Sequence, residues 1–256
     1  MDLPRFHLDA PLTVGLCAEL SLAEAHHAMH VLRLRVGDAL ELFDGRGQSA
    51  TARIAQAKHG RVRCEVEAVG AVRARPEPRV HLAFAVPKGK RLDWLLEKAT
   101  ELASSSLRPV AFERGVAGDD LADGKRERWL THCVAAAKQS GLNFLPELRE
   151  RQTLPDLLAD AAGAGAGVSG AGTLFRLVGD VTADAVSLPD ALGKAGGADP
   201  PVTDILLIIG PEGGLSDVER NQLAAAHVTP VRLGHTILRI ETAAVALLAA
   251  VTALAR

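Results

Sequence analysis

Polar and apolar residues alternate along Gly60-Arg-Val-Arg-Cys-Glu-Val-Glu-Ala68, the pattern of a strand with one face buried and the other in water. Ala39–Phe43 reads as a second strand, Asp44-Gly45 behind it as a hairpin signal, and Thr51–Ala55 as the returning strand. Pro4–Leu8 reads as extended and Val36-Gly37-Asp38 as a turn. Ser21-Leu-Ala-Glu24 reads as a capping box opening a helix through about Leu32. Short strands with charged outer faces predict a small β-barrel over residues 1–73. Beyond the proline-rich linker Arg73-Ala-Arg-Pro-Glu-Pro78 the period changes. Val80–Val86 is an apolar strand, and Leu92, Leu95, Leu96, Ala99, Leu102 and Ala103 share one helical face. Arg108–Phe112 is a strand and Lys125–Ser140 a helix. Leu174–Val178, Ile205–Ile209 and the short Val231–Leu233 are further strands, and an Ala-rich helix, Glu241–Ala255, closes the chain. Strands alternating with helices predict an α/β domain over residues 74–256, with a parallel sheet covered on both faces.

Two of these strands end in glycine. After Leu206-Leu-Ile-Ile209 the chain runs Gly210-Pro211-Glu212-Gly213-Gly214, and Ser216 with Glu219 then marks a helix start. Strand, bare backbone and helix start in that order make a ligand loop in an open α/β sheet. A phosphate cradle would want a Lys and free N–H groups. This loop has no Lys, Pro211 removes a donor, and Glu212 adds negative charge. It therefore suits a neutral or cationic ligand, and a valine at Gly213 is expected to fill the ligand's space. The second loop is Leu233-Gly-His-Thr-Ile-Leu-Arg239, followed by Glu241 and Thr242 in a helix first turn. Ile237 and Leu238 offer apolar surface and Arg239 a fixed cation. Two such loops from neighbouring parallel strands are expected to enclose one flat apolar group.

Charge adds a direction. Residues 1–151 hold 23 Lys+Arg against 20 Asp+Glu, and residues 152–256 hold 6 against 11. A polyanion is therefore expected to meet the front of the chain. Lys88, Lys90 and Arg91 cluster at a predicted helix start, where they oppose the helix dipole unless an anion docks. In the helix 125–140, Arg128, His132 and Gln139 fall near one face. Trp129 there reads either as a base-stacking aromatic or as a core anchor.

Other features carry less. Cys17, Cys64 and Cys133 show no metal or redox spacing and read as reduced thiols. His26 and His30 are spaced for one helix face but lack a third ligand, so no metal is expected. Gly165-Ala-Gly167-Val-Ser-Gly170 fits a dinucleotide pattern but follows a helix and precedes a strand, the reverse of the required order. It reads as a flexible surface loop. No apolar run is long enough to span a bilayer and no secretory signal is visible, so a soluble cytoplasmic protein is expected.

Together the blocks resemble one family. They are His30-Val-Leu-Arg33 with Val36-Gly-Asp38 and Asp44-Gly45; Pro87-Lys-Gly-Lys90 with Glu97-Lys-Ala-Thr-Glu-Leu102; Glu113-Arg114; Arg128-Trp129 through Gln139-Ser-Gly141; Ile209-Gly-Pro-Glu-Gly-Gly214; and Leu233-Gly234 through Ile237-Leu-Arg239 with Glu241-Thr-Ala243. In this order they are similar to the bacterial 16S rRNA (uracil-N3)-methyltransferases, the RsmE branch of the SPOUT superfamily. Gly115, Leu142 and Ile240 depart from the family's usual residues.

The resemblance implies a PUA-like RNA-binding barrel followed by a SPOUT domain whose C-terminus threads a trefoil knot. It implies S-adenosylmethionine as cofactor, a homodimer, and 16S rRNA of the small ribosomal subunit as substrate. Ile209, Gly210, Pro211, Glu212, Gly213, Gly214, Leu233, Gly234, Ile237, Leu238 and Arg239 would hold the cofactor. Arg239 would stabilise a uracil oxyanion, and Glu241 or Glu212 would be the base. Arg33, Lys88, Lys90, Arg91, Arg114, Arg128 and Gln139 would contact RNA. The rival expectation is a non-catalytic RNA-binding or ribosome-assembly protein on the same scaffold, which needs no intact ligand pocket.

Overall fold

The computed structural model describes residues 3–115, 123–162, 173–182, 184–197, 201–234 and 236–254. The glycine-rich stretch Gly165–Gly170 and the end of the last helix at Ala255 lie outside the described residues. The chain forms two compact units, Met1–Arg75 with Val134–Leu145, and Pro76–Cys133 with Pro146–Arg256.

The first unit holds β1 (Arg5–His7), β2 (Cys17–Glu19), helix α1 (Leu22–His26), β3 (Ala39–Phe43), β4 (Ser49–Lys58) and β5 (Arg61–Val69). The strand order is β1-β3-β4-β5-β2, and all pairs are antiparallel except β1 with β3. Alternation places Ala52, Ile54, Val62, Cys64 and Val66 inward against Phe6, Leu20, Leu40 and Leu42. The hairpin between β3 and β4 is held by Asp44, whose Oδ1 accepts the N–H groups of Arg46 (2.7 Å) and Gln48 (3.0 Å).

The helix expected through Leu32 takes a different course. Ser21 Oγ accepts the Glu24 N–H (3.3 Å), but the Glu24 carboxylate leaves the cap for Lys138 Nζ at 2.6 Å. The α-helix stops at His26, and His27–Val31 continue as a π-helical turn.

The second unit contributes β6 (Arg79–Ala85), α2 (Lys90–Glu101), β7 (Ser106–Ala111), α3 (Asp123–Ser140), β8 (Glu147–Leu148), β9 (Gln152–Thr153) and α4 (Leu154–Ala162). The last turns of α3 fall in the first unit. Then follow β10 (Thr173–Gly179), β11 (Val186–Ser187), α5 (Leu188–Gly196), β12 (Val202–Ile209), α6 (Asp217–Ala225), β13 (Thr229–Arg232) and α7 (Ile240–Leu254). The sheet runs β11-β13-β10-β12-β6-β7-β8 with β9 also on β7, and its pairs are parallel. Asp204–Ile209 of β12 are wholly buried, as a central parallel strand requires, and α7 packs on β6, β12 and α2.

The strand order corrects one expectation. The glycine loops follow β12 and β13, but these strands are not neighbours, because β10 lies between them. The end of β10 therefore stands between the two loops.

A buried polar cluster sits at the other end of the sheet. His81 Nε2 is 2.8 Å from Asp204 Oδ1, and His81 Nδ1 is 2.8 Å from Ser106 Oγ. Arg79 Nη2 and Thr203 Oγ1 each donate to Asp204 Oδ2 at 2.8 Å. Burial works to raise the Asp204 carboxyl, but the hydrogen bonds from Arg79, His81 and Thr203 outweigh it and hold it below its ordinary value. Burial pushes His81 below its ordinary 6.5, against the raising effect of the Asp204 hydrogen bond.

The folded state thus favours neutral His81. Its contribution is complete above the unfolded pKa and is lost as pH falls below it. Melting temperature should drop between about pH 7.5 and about pH 5.5. His81→Gln, which does not titrate, should show a smaller drop. An equal drop in both proteins removes His81 from the effect.

Candidate functional site

The second unit carries a cavity of about 340 Å³ at the C-terminal edge of its sheet, within the range of small-molecule sites. Three strand ends build it. Ile209, the last residue of β12, and Gly210–Leu215 after it form one side, Leu233, Gly234 and Thr236–Leu238 follow β13, and Gly179 ends β10 with Asp180 and Val181 after it, while α7 closes the floor through Ile240, Ala243 and Leu247.

The first loop is braced from behind. Gly214, at φ 73°, donates to the Pro211 carbonyl at 2.9 Å and closes the turn. Ser216 and Glu219 then make the expected capping box: Ser216 Oγ accepts the Glu219 N–H (3.2 Å) and Glu219 Oε2 accepts the Ser216 N–H (2.8 Å). Glu219 Oε1 also accepts the Glu113 N–H at 2.8 Å, tying the loop after β7 to the start of α6. Arg114 Nη1 lies 3.3 Å from the Gly213 carbonyl and 3.4 Å from that of Leu215.

The glycines do different work. A Cβ on Gly213 would stand 3.1 Å from Arg114 Cβ, so this bare backbone makes room for Arg114 as well as forming part of the cavity wall. A Cβ on Gly234 would meet nothing within 4 Å, although Gly234 forms part of the cavity wall. That is a cradle which a side chain would fill.

The charges of the wall are selective. Among its described residues there is no Lys or Arg, whereas Asp180 and Glu212 are acidic. Asp180 is engaged with Arg220 and with the Val181 N–H. An apolar slot with acidic residues in its wall suits a cationic ligand and repels phosphate.

The expected catalytic groups lie beside this cavity. Ile237 is 84 % exposed, and Arg239 is exposed, its side chain making no hydrogen bond or ion pair to a described residue. Glu212 lines the wall, half-exposed, and Arg91 Nη1 donates to its Oε1 at 2.5 Å. Glu241 does not reach the wall. It is buried, its Oε2 has no hydrogen-bond partner among the described residues, and Arg91 stands 3.9 Å away. Arg91, expected on RNA, thus bridges carboxylates from the two glycine-loop segments. The hydrogen bond to Glu212 raises the Arg91 guanidinium further above its ordinary range.

If that clamp matters, Arg91→Ala should weaken ligand binding at this cavity about two- to fivefold, the scale of an exposed ion pair. An unchanged affinity in calorimetry returns Arg91 to a purely RNA-facing role.

The other expected RNA contacts are dispersed. Lys88 and Lys90 are exposed at the start of α2, and Arg33 is exposed at positive φ. Arg128 pairs with Asp93 (2.6 Å), as does His132 (3.3 Å). Trp129 is buried, with its ring 6.5 Å from that of Phe84, so it anchors the core rather than stacking on a base. Gln139 belongs to the first unit. Sequence reasoning missed Gly179-Asp180-Val181; the available signal was a third apolar strand, Leu174–Val178, ending in glycine.

Among the described residues no helix is long and apolar enough to cross a membrane, and no His, Cys, Asp or Glu group could hold a metal.

Comparison with known proteins bears on both units. Residues 75–252 match a family model described as an RNA methyltransferase domain, and residues 22–67 match an RNA methyltransferase PUA domain. The ribosomal RNA small subunit methyltransferase E of Bacillus subtilis is 29 % identical over 232 residues, covering 90 % of this chain and 87 % of that protein. Its namesake from Synechocystis is 32 % identical over 235 residues, covering 92 % and 72 %. A Legionella pneumophila protein solved in complex with S-adenosylmethionine superposes with a TM-score of 0.83 at 29 % identity, covering 99 % of this chain and 98 % of that one. The ribosomal RNA small subunit methyltransferase E of Neisseria gonorrhoeae, also bound to S-adenosylmethionine, gives 0.81 at 29 % identity and covers 98 % of each chain.

Proposed function

Because the chain belongs to the family defined by this RNA methyltransferase domain, with a PUA domain before it, we propose that it transfers a methyl group from S-adenosylmethionine to N3 of a uridine in 16S rRNA of the small ribosomal subunit. The observation that carries this reading is the slot of three strand ends, with its bare Gly234 wall and no basic residue among its described lining. The slot fits a cofactor with an apolar flat end and a positive sulfur.

Bound there, S-adenosylmethionine supplies an electrophilic methyl on a sulfonium. The backbone of Ile209–Gly214 and the segments Leu233-Gly234 and Ile237-Leu238 hold it. The chain's remaining task is to prepare the uracil. Neutral N3 is a poor nucleophile, so its proton must leave. Of the two carboxylates, Glu212 is the one in the cavity wall, which favours it over buried Glu241 as acceptor. Arg239, exposed and with no side-chain partner among the described residues, supplies positive charge for the uracil oxygens as the proton departs. Lys88, Lys90 and Arg33, exposed and without an ion-pair partner among the described residues, take phosphates.

A homodimer and a knotted last segment belong to the same reading. The run from β13 across to α7, which packs on β6 and β12, is consistent with such threading. A cytoplasmic location accords with a ribosomal substrate.

The deciding experiment incubates the protein and labelled S-adenosylmethionine with small subunits lacking the modification. The product nucleosides are then separated by mass spectrometry. N3-methyluridine is expected. A ribose-methylated product, or none, overturns the reading.

A further inference from the structure

The first unit holds a second cavity, of about 640 Å³ and different in character. Among its described lining residues are three cations, Arg5, Arg73 and Lys138, against one carboxylate, Glu41. Two of the cations are fixed. Arg5 Nη2 donates to the Leu142 carbonyl (3.1 Å) and to Asn143 Oδ1 (2.5 Å), its Nε lies 3.1 Å from Glu41 Oε2, and its guanidinium sits 4.9 Å over the Phe43 ring. Lys138 Nζ lies 2.6 Å from Glu24 Oε2 and 4.8 Å over the Phe6 ring. Arg73 is exposed and has no carboxylate partner among the described residues. Two anchored cations shape the pocket, and one free cation waits in its wall.

The neutral lining groups narrow the ligand further. Ser49, Thr51 and Gln139 present hydroxyl and amide groups, and none of the described lining residues is aromatic. Proteins that read a splayed base stack it on an aromatic ring or an Arg plane. Among the described lining residues the only loosely held plane is that of Arg73. A positive, hydroxyl- and amide-lined pocket without a stacking platform matches a sugar-phosphate backbone better than a base or a small apolar molecule.

We propose that this pocket grips the ribose-phosphate backbone of single-stranded RNA, with Arg73 on a phosphate and Thr51 and Gln139 on phosphate oxygens and 2′-hydroxyls. The proposal rests on the rRNA methyltransferase reading and deepens it. The barrel unit anchors the strand by its backbone, and the choice of uridine is left to the other unit.

The test uses the full chain and two exposed positions, Arg73 and Thr51, where substitution leaves the core intact. The probes are a single-stranded fragment of small-subunit rRNA and the DNA strand of the same sequence. Arg73→Glu should weaken RNA binding at least about tenfold. Arg73→Ala should reduce the slope of log K against log salt by about 0.7, one phosphate's worth on a single strand. Thr51→Trp fills the pocket at unchanged charge and should also weaken binding. S-adenosylmethionine affinity should stay constant in all three. The unaltered chain should prefer RNA to DNA, and Thr51→Trp should shrink that preference.

Unchanged RNA affinity in both Arg73→Glu and Thr51→Trp overturns the proposal, and so does equal binding of RNA and DNA. The two readings fail separately. Methyl transfer with variants that bind RNA normally rejects the pocket alone. RNA binding through Arg73 without methyl transfer to any small subunit rejects the enzyme reading alone.

Discussion

Gly234→Val should bind S-adenosylmethionine roughly a hundredfold more weakly than the unaltered chain, while melting at nearly the same temperature in the absence of ligand. A Cβ at Gly234 meets nothing within 4 Å, so the folded protein has room for the branched side chain. The room it takes belongs to the cavity wall. Overfilling a fitted site costs about 1–3 kcal/mol, and 1.4 kcal/mol is tenfold in affinity. Gly213→Val is the instructive contrast. Its Cβ would press on Arg114 at 3.1 Å, so the damage should pass through the loop after β7 and lower the melting temperature as well. Calorimetry and thermal melting on both variants separate the cases. Undiminished affinity in Gly234→Val would mean that the cofactor does not lie against this loop.

How far the sequence foretold this site depends on how local each feature is. β12 and its loop were legible because a run of Leu and Ile ending in Gly-Pro needs no distant partner to be read. The strands of the first unit were legible for the same reason, since alternation marks a half-buried face. The place of β10 between β12 and β13 was not, because strand order is settled by packing among elements far apart in the chain.

The Arg91–Glu212 contact spans 121 positions and leaves no periodic trace. Trp129 was ambiguous, since burial beside Phe84 depends on β6. Helix α5 was missed although a signal stood in plain view. Ser187-Leu-Pro-Asp190 repeats Thr153-Leu-Pro-Asp156 at the start of α4, and both hydroxyls accept the Asp N–H at 3.3 Å. β8, β9 and β11 have two residues each, too few for any period.

Arg239→Ala should leave S-adenosylmethionine affinity within about twofold of the original and lower kcat by about 10²–10³, the usual loss when one charge-stabilising donor is removed. The argument starts from exposure. Arg239 has no carboxylate partner and no hydrogen-bond acceptor among the described residues, yet its neighbours Leu238 and Ile240 both form the cavity wall. A cation left unengaged beside a cofactor slot is available to the second substrate.

Its effect should also have a direction in pH. A guanidinium near the uracil oxygens favours the deprotonated ring, so its loss makes the N3 proton harder to remove. The rise of rate with pH should then shift to more alkaline values in Arg239→Ala, and Arg239→Lys should recover part of the shift by charge without the planar fork. A variant with wild-type kcat, or one that loses rate with an unmoved pH profile and weakened cofactor binding, would place Arg239 among the residues that merely shape the loop.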